Sequence, residues 1–363
     1  MRGRPDMNLP SPLAWLLDEA AAVVGADAFL ARLGAQLIAA GVPLAGGALT
    51  LAAAHPTIAR RTWLWRADTG AVIEALDFGT IAPANAPDHG KAGRDWLVTL
   101  GTGHLHDAAC GGPVLAWALA RAPTEAEATL LHAVARFAAA PLAALGWRAT
   151  AAGLLEAYLG RRSAARVLAG RSRRETGETI RAVLLVADLR GFTEFSEAVA
   201  PEFVVAALDA WFDRIAGAAH AFGGEVLKFI GDGVLVIFPV GERSPGEACD
   251  AALSAVRAAR AGMEHLNQAR ARHHESPLQF GLALHLGEML WGNVGTADRL
   301  DFTAIGPAVN LVSRLEGLCR PLGRSVLLSG AIAAEAAAKL TPLGEHALRG
   351  IAAPCAVFAL PDD

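Results

Sequence analysis

The sequence predicts an α+β chain of two domains, each with strands paired into a sheet, and three observations predict it. Residues 181–238 hold β-type apolar runs, one ending on Asp188 and breaking at Gly191, two more flanking Gly231-Asp232-Gly233 as a tight hairpin does. Helical patterning separates these runs, as in Phe203-Val-Val-Ala-Ala-Leu-Asp-Ala-Trp-Phe. Residues 48–100 are strand-like and lie between two Ala/Leu-rich helical stretches.

Composition narrows the function classes. At 363 residues the chain is long enough for two domains. A net charge of −4 and a pI near 6.3 argue against a nucleic-acid partner, which would want a basic face. The mean hydropathy of +0.35 owes much to alanine, and the apolar stretches 27–54 and 137–160 are interrupted by Arg32 and Arg148, so no membrane span is expected. Cys110, Cys249, Cys319 and Cys355 lie far apart without a CxxC pair, as reduced thiols do, and the N-terminus does not read as a signal peptide. The expectation is a cytoplasmic protein.

Taken in order, residues 1–12 read as a Pro- and Gly-punctuated tail, and 13–40 as one or two helices ending before Gly41. Short strands are expected at 48–52, 62–66 and 71–75, separated by His55-Pro56 and Asp68-Thr-Gly70, and again at 97–100 and 112–118. Thr124-Glu-Ala-Glu opens a helix with an acidic first turn. Residues 1–148 thus read as an α+β regulatory domain, with a GAF or PAS domain as the fold analogy. His104, His106 and Cys110 are too few and too dispersed for a metal site, and Trp63 and Trp65 read as packing residues. Residues 149–180 read as a helical linker ending in an Arg-rich break, Arg171-Ser-Arg-Arg174, whose charges suit a solvated face.

From 181 the order is strand to Asp188, helix, Gly-Asp-Gly hairpin, helix 245–271, strand 278–285, then strand into helix from Thr303 to Leu318. That order fits a ferredoxin-like antiparallel sheet with helices on one face. Asp188 and Asp232 end apolar strands, where paired carboxylates suit hard divalent cations; alone, each serves equally as a helix cap or turn residue. Asn310 and Arg314 are four apart on a predicted helix and share a face.

Three segments in order, Val186-Ala-Asp188-Leu-Arg-Gly-Phe-Thr, Lys228-Phe-Ile-Gly-Asp232-Gly and Phe302-Thr303-Ala-Ile-Gly-Pro-Ala-Val-Asn310-Leu-Val-Ser-Arg314, resemble the catalytic domain of class III nucleotide cyclases. The resemblance covers 181–363, about half the chain. It implies conversion of ATP or GTP to a 3′,5′-cyclic monophosphate and pyrophosphate, with two Mg²⁺ (or Mn²⁺) ions on Asp188 and Asp232. It implies base reading by Lys228 and Thr303, ribose placement by Asn310 and phosphate charge on Arg314. In this family the domains pair head to tail, so one copy would supply Asp188 and Asp232 and the other the remaining four. Lysine at 228 favours ATP, since adenine N1 accepts a hydrogen bond and guanine N1 donates one. Alternatives are a guanylate cyclase and a nucleotide-binding module without turnover. Gly223-Gly-Glu225 only superficially resembles the diguanylate cyclase signature, because here the hairpin turn is Gly231-Asp232-Gly233. The signal for residues 1–148 is left open.

Overall fold

A computed structural model describes residues 9–52, 58–78, 90–109, 112–170, 177–296 and 298–361. The His55-Pro56 turn, Cys110, the arginines of 171–174 and most of the N-terminal tail lie outside them. Two units divide the chain, Met1–Ala164 and Ala165–Asp363.

The first unit opens with α1 (Ser11–Asp18), a 3₁₀ turn and α2 (Ala26–Ala39). Then come β1 (Leu44–Ala52), β2 (Ile58–Arg66), β3 (Val72–Phe78), α3 (Lys91–Val98), β4 (His104–Ala109), β5 (Val114–Leu119) and α4 (Glu125–Leu159). Among the described residues the strands form an antiparallel sheet in the order β3-β2-β1-β5-β4. Phe29, Leu33, Trp65 and Trp117 fill its main core, which Trp63 also lines. The strand expected at 97–100 is instead the end of α3 and the turn after it. Lys91 and Asp95 pair at i,i+4, and Gly93 and Leu97 bury one helical face, so the segment follows the helical period.

Helix α4 begins with a capping box, Thr124 accepting from the Glu127 amide at 3.3 Å and Glu127 accepting from the Thr124 amide at 2.7 Å. It runs on through Arg148 without a break. By length and composition it is the helix among the described residues that reaches the requirement for crossing a membrane, contrary to the expectation of no such stretch. Yet Leu131, Val134, Ala138, Leu142 and Leu145 sit in the core of the first unit, a use that needs no membrane.

The second unit continues with α5 (Arg161–Leu168, which begins in the first), β6 (Glu178–Leu189), α6 (Phe192–Ala198), α7 (Pro201–Ala221), β7 (Glu225–Ile230), β8 (Gly233–Pro239) and α8 (Pro245–Arg272). It closes with β9 (Phe280–Gly295), β10 (Leu300–Ile305), α9 (Pro307–Glu316), β11 (Val326–Ser329), α10 (Gly330–Glu335), β12 (Thr341–His346) and β13 (Cys355–Ala359). Among the described residues the sheet order is β12-β13-β11-β9-β6-β8-β7, with β10 paired to β9. Pairings are antiparallel except β11 with β9. The α+β class with a central antiparallel sheet is as expected.

One expectation is corrected. Helices do not keep to one face: α7 and α8 bury Trp211, Ile215, Leu253 and Val256 against Val183, Leu185 and Leu284, whereas Val312 and Leu315 of α9 pack on the other face against Ala182, Leu184 and Ala283. The alternation of β6 and β9 is apolar on both sides, which is the pattern of a strand covered twice.

Candidate active site

Strand β6 sends Val183, Leu185 and Ala187 to the α7–α8 side, so Asp188 shares the α9 side with Ala182 and Leu184. The β7–β8 hairpin joins Ile230 to Gly233 through Gly231, at φ +64°, and Asp232. Its position is fixed from below by Trp211 of α7, whose Nε1 donates to the Asp232 carbonyl at 2.9 Å. The two carboxylates thereby meet. Gly233 lets them do so: a Cβ there would lie 3.2 Å from Asp188 Oδ1.

Asp188 is half-buried, and its Oδ1 is fully enclosed without a hydrogen-bond partner. Burial, then the hydrogen bond and negative charge of Asp232, then Glu316, push its carboxyl from 3.8 up to about 7. Glu316, on α9, reaches the same place. Its Oε1 fills the space over Gly281, the register partner of Asp188, where a Cβ would come within 2.3 Å. Burial raises the Glu316 carboxyl too, with Arg190 opposing and Asp232 adding to the shift. An enclosed orphan oxygen among carboxylates that repel one another is a donor set that suits a cation. Among the described residues no three His, Cys, Asp or Glu side chains converge to hold an ion by themselves. Asp188 and Asp232 therefore fit Mg²⁺ or Mn²⁺ of the kind whose remaining ligands are substrate phosphates and water.

A second cluster forms around Lys228. A bulge between Val226 and Lys228 interrupts the β7–β8 register and re-aims the lysine, which pairs with Asp301 of β10. Phe302 turns inward and stacks on Trp291 at 5.1 Å, so its neighbours Asp301 and Thr303 both face the lysine's side of β10. Asn310 and Arg314 stand on the exposed face of α9, and neither bonds to the acidic pair among the described residues. Within one chain, then, Asp188 joins Asp232, and Lys228 neighbours Thr303 through Asp301. Asn310 and Arg314 lie on the exposed face of α9.

Sequence reasoning missed Asp301, Glu316 and Trp211. Asp301-x-Thr303 alternates onto one strand face, which was the available signal for the first. The other two act across 21 residues or more of chain, and nothing in local spacing announces them. His106 meets His132 of α4, with ring centroids 4.9 Å apart.

Residues 176–353 match the family profile described as the adenylate and guanylate cyclase catalytic domain. The second unit belongs to the class III nucleotide cyclases. This cyclase domain is 36% identical over 168 residues to adenylate cyclase 1 of Rhizobium meliloti (strain 1021), a match covering 45% of this chain and 25% of that protein. It is 30% identical over 158 residues to the adenylate cyclase of Anabaena cylindrica, covering 42% and 30%. The chain thus spans less than a third of the length of these relatives. A solved bacterial light-regulated adenylyl cyclase shares the fold at a TM-score of 0.50 and 18% identity, over 75% of this chain and 90% of that one. Divalent Mg²⁺ or Mn²⁺ is the general requirement of class III cyclases, in keeping with the acidic pair.

Proposed function

We propose that the chain is an adenylate cyclase, converting ATP to 3′,5′-cyclic AMP and pyrophosphate at sites shared between two copies. The observation that carries this reading is the facing pair Asp188–Asp232 with its orphan oxygen, Asp232 standing at the turn of the hairpin that also carries the cation Lys228.

Asp188 and Asp232 would hold two Mg²⁺ (or Mn²⁺) ions per site. Bound there, the ions lower the pKa of the ribose 3′-hydroxyl and neutralise charge on the departing pyrophosphate. Lys228 donates to adenine N1, and the Thr303 hydroxyl accepts from the N6 amino group. Asn310 orients the ribose. Arg314 lends permanent charge and a planar donor fork to the α-phosphate as the 3′ oxygen bonds to phosphorus and pyrophosphate leaves. Raised carboxyl pKa values and apposed carboxylates are common at sites of this kind.

Sharing follows from reach. Lys228 and Asp232 are four residues apart across a tight turn, and within one chain each already turns to its own neighbours, Asp301 and Asp188. Base and phosphate lie at opposite ends of a nucleotide, so one hairpin tip serves only one end. Two-fold, head-to-tail pairing gives each site Asp188 and Asp232 from one copy and Lys228, Thr303, Asn310 and Arg314 from the other. The first unit is read as a regulatory domain of GAF or PAS type, with the following helical segment as its linker. The free thiols Cys249, Cys319 and Cys355 suit the reducing cytoplasm, where ATP is abundant.

Mixing dead enzymes tests the reading. Asp232→Ala and Arg314→Ala should each fall at least ~100-fold in cyclic AMP formation, as loss of charge stabilisation does. A mixed dimer keeps one intact site, so random mixing restores about a quarter of wild-type activity under a symmetric interface. Heterodimers that form and stay inactive would contradict it.

A further inference from the structure

A groove of about 760 Å³ runs along the second half of α8, and Phe280 of β9 and Ser325, just before β11, complete its lining. None of the residues placed in the site above lines it. Its volume falls within the roughly 300–1,000 Å³ of small-molecule sites. On the helix the lining recurs in steps of three and four, at Arg257, Arg260, Ala261, Glu264, Gln268 and Ala271. That spacing makes one face, about 21 Å long. Charge is uneven along it. Arg257 and Arg260 stand toward one end against the single carboxylate of Glu264, while Met263, Ala271 and Phe280 make the rest apolar. Arg257 forms no hydrogen bond or ion pair among the described residues.

The walls are fixed before anything binds. Asn267 spends both ends of its amide on Leu278, donating to the carbonyl at 3.0 Å and accepting from the N–H at 2.8 Å. Arg270 donates to the Ser276 carbonyl at 2.8 Å and pairs with Glu275 at 2.9 Å. The chain leading into β9 is thereby fastened to the helix.

We infer that this groove binds a small organic anion, a phosphate or carboxylate carried on a flat apolar body. The planar donor forks of Arg257 and Arg260 suit an oxyanion. Seven residues of helix, about 10 Å, separate Arg260 from Asn267, so the body of such a ligand lies along Met263 toward the Phe280 ring. A bare inorganic anion leaves that apolar stretch uncovered, and a neutral apolar molecule leaves the arginines unused. The groove also has a path to the acidic pair. Phe280 packs on Trp211, with ring centroids 5.4 Å apart, and Trp211 donates to the Asp232 carbonyl at 2.9 Å. An occupant resting on Phe280 thus bears on the turn that places Asp232. This link rests on the reading of Asp188 and Asp232 as the metal pair; the groove does not.

Isothermal titration of the full chain with 1-naphthyl phosphate, without nucleotide, tests the inference. One molecule per chain should bind with a Kd of about 1 mM or tighter, the range of a fragment of that size. Arg257→Glu with Arg260→Glu should weaken binding roughly tenfold or more, as should Ala261→Trp, which fills the groove from an exposed position. Arg257→Ala, which breaks no bond within the chain, should weaken it roughly threefold and covers the case of a double variant that does not fold. Lys228→Ala should leave the affinity unchanged, which separates the groove from the nucleotide site. 1-Naphthol and inorganic phosphate should each bind roughly tenfold more weakly or worse, since each offers half of the chemistry. No saturable binding up to about 10 mM, equal affinity in wild type and the groove variants, or equal affinity for 1-naphthol would overturn the inference. With the probe bound, the Mg²⁺ concentration at half-maximal thermal stabilisation should shift roughly threefold or more; an unchanged value would refute the link to Asp232. Groove-dependent binding in a chain that makes no cyclic nucleotide would uphold the groove while the cyclase reading failed.

Discussion

Replacing Asp188 by Asn should stabilise the metal-free protein while removing its response to metal. Raised from 3.8 to about 7 by burial and by Asp232, Asp188 is a carboxyl the fold prefers protonated. The folded state binds that proton more tightly than the unfolded chain. Without metal, stability is therefore highest below about pH 4, falls as pH rises, and levels off above about pH 7. At 1.36 kcal/mol per pH unit across that window the ceiling is about 4 kcal/mol. The side chain is only half-buried, and screening brings the expected figure to about 1–2 kcal/mol. An amide keeps the shape, does not titrate, and relieves the repulsion with Asp232 and Glu316. At pH 8 in chelator, Asp188→Asn should melt about 2–8 °C higher than wild type, in a transition followed by the fluorescence of Trp211 and Trp291. The gap should close toward pH 4. Adding Mg²⁺ should stabilise wild type, increasingly as pH rises toward 7 because binding displaces a proton, and leave the variant unmoved. A variant no more stable than wild type at pH 8, with wild-type stability flat from pH 4 to 8, would refute the reasoning.

Other perturbations bear on different parts of the account. Lys228→Glu should erode the preference for ATP over GTP by about 1–3 kcal/mol, some 5- to 150-fold in relative kcat/KM, because a buried polar group of the base loses its partner. Asp301→Asn should shift the same ratio in the same direction by less, since it frees the lysine without removing it. Trp211→Phe deletes the bond to the Asp232 carbonyl and should cost about 1–2 kcal/mol in urea unfolding while weakening the half-saturating Mg²⁺ concentration. A fragment of residues 165–363, which keeps its own core, should fold cooperatively and differ from the full chain in specific activity; identical activity at saturating protein counts against regulation by the first unit.

What the sequence disclosed and what it hid have physical causes. The Asp188 strand, the Gly231–Gly233 hairpin and the Thr303-to-Arg314 segment were legible because each is a local pattern: a period-2 run, a turn that needs glycine, a strand passing into a helix. The run 97–100 misled because three apolar residues and a threonine fit either period, and only the Lys91–Asp95 pair upstream favours a helix. Arg148 looked like an interruption of an apolar stretch, yet a long side chain leaves the helix axis undisturbed and finds carbonyls to bind. The position of α9 on the opposite face was hidden for another reason. Strands covered on both sides lose the alternation that tells one face from the other. Glu316 over Gly281, Trp211 beneath Asp232 and Asp301 beside Lys228 are all long-range contacts, and only the folded sheet brings them together.

The central claim, that this chain cyclises ATP at a site built on Asp188 and Asp232, is tested most directly by product analysis. Purified full-length protein is given an equimolar mixture of ATP and GTP with Mg²⁺ or Mn²⁺, and the products are identified by mass spectrometry beside the Asp188→Asn and Asp232→Ala variants. The account predicts 3′,5′-cyclic AMP and pyrophosphate in excess of any cyclic GMP, dependent on metal and lost in both variants. Cyclic GMP as the main product, or cyclic AMP formed equally by either variant, would contradict it.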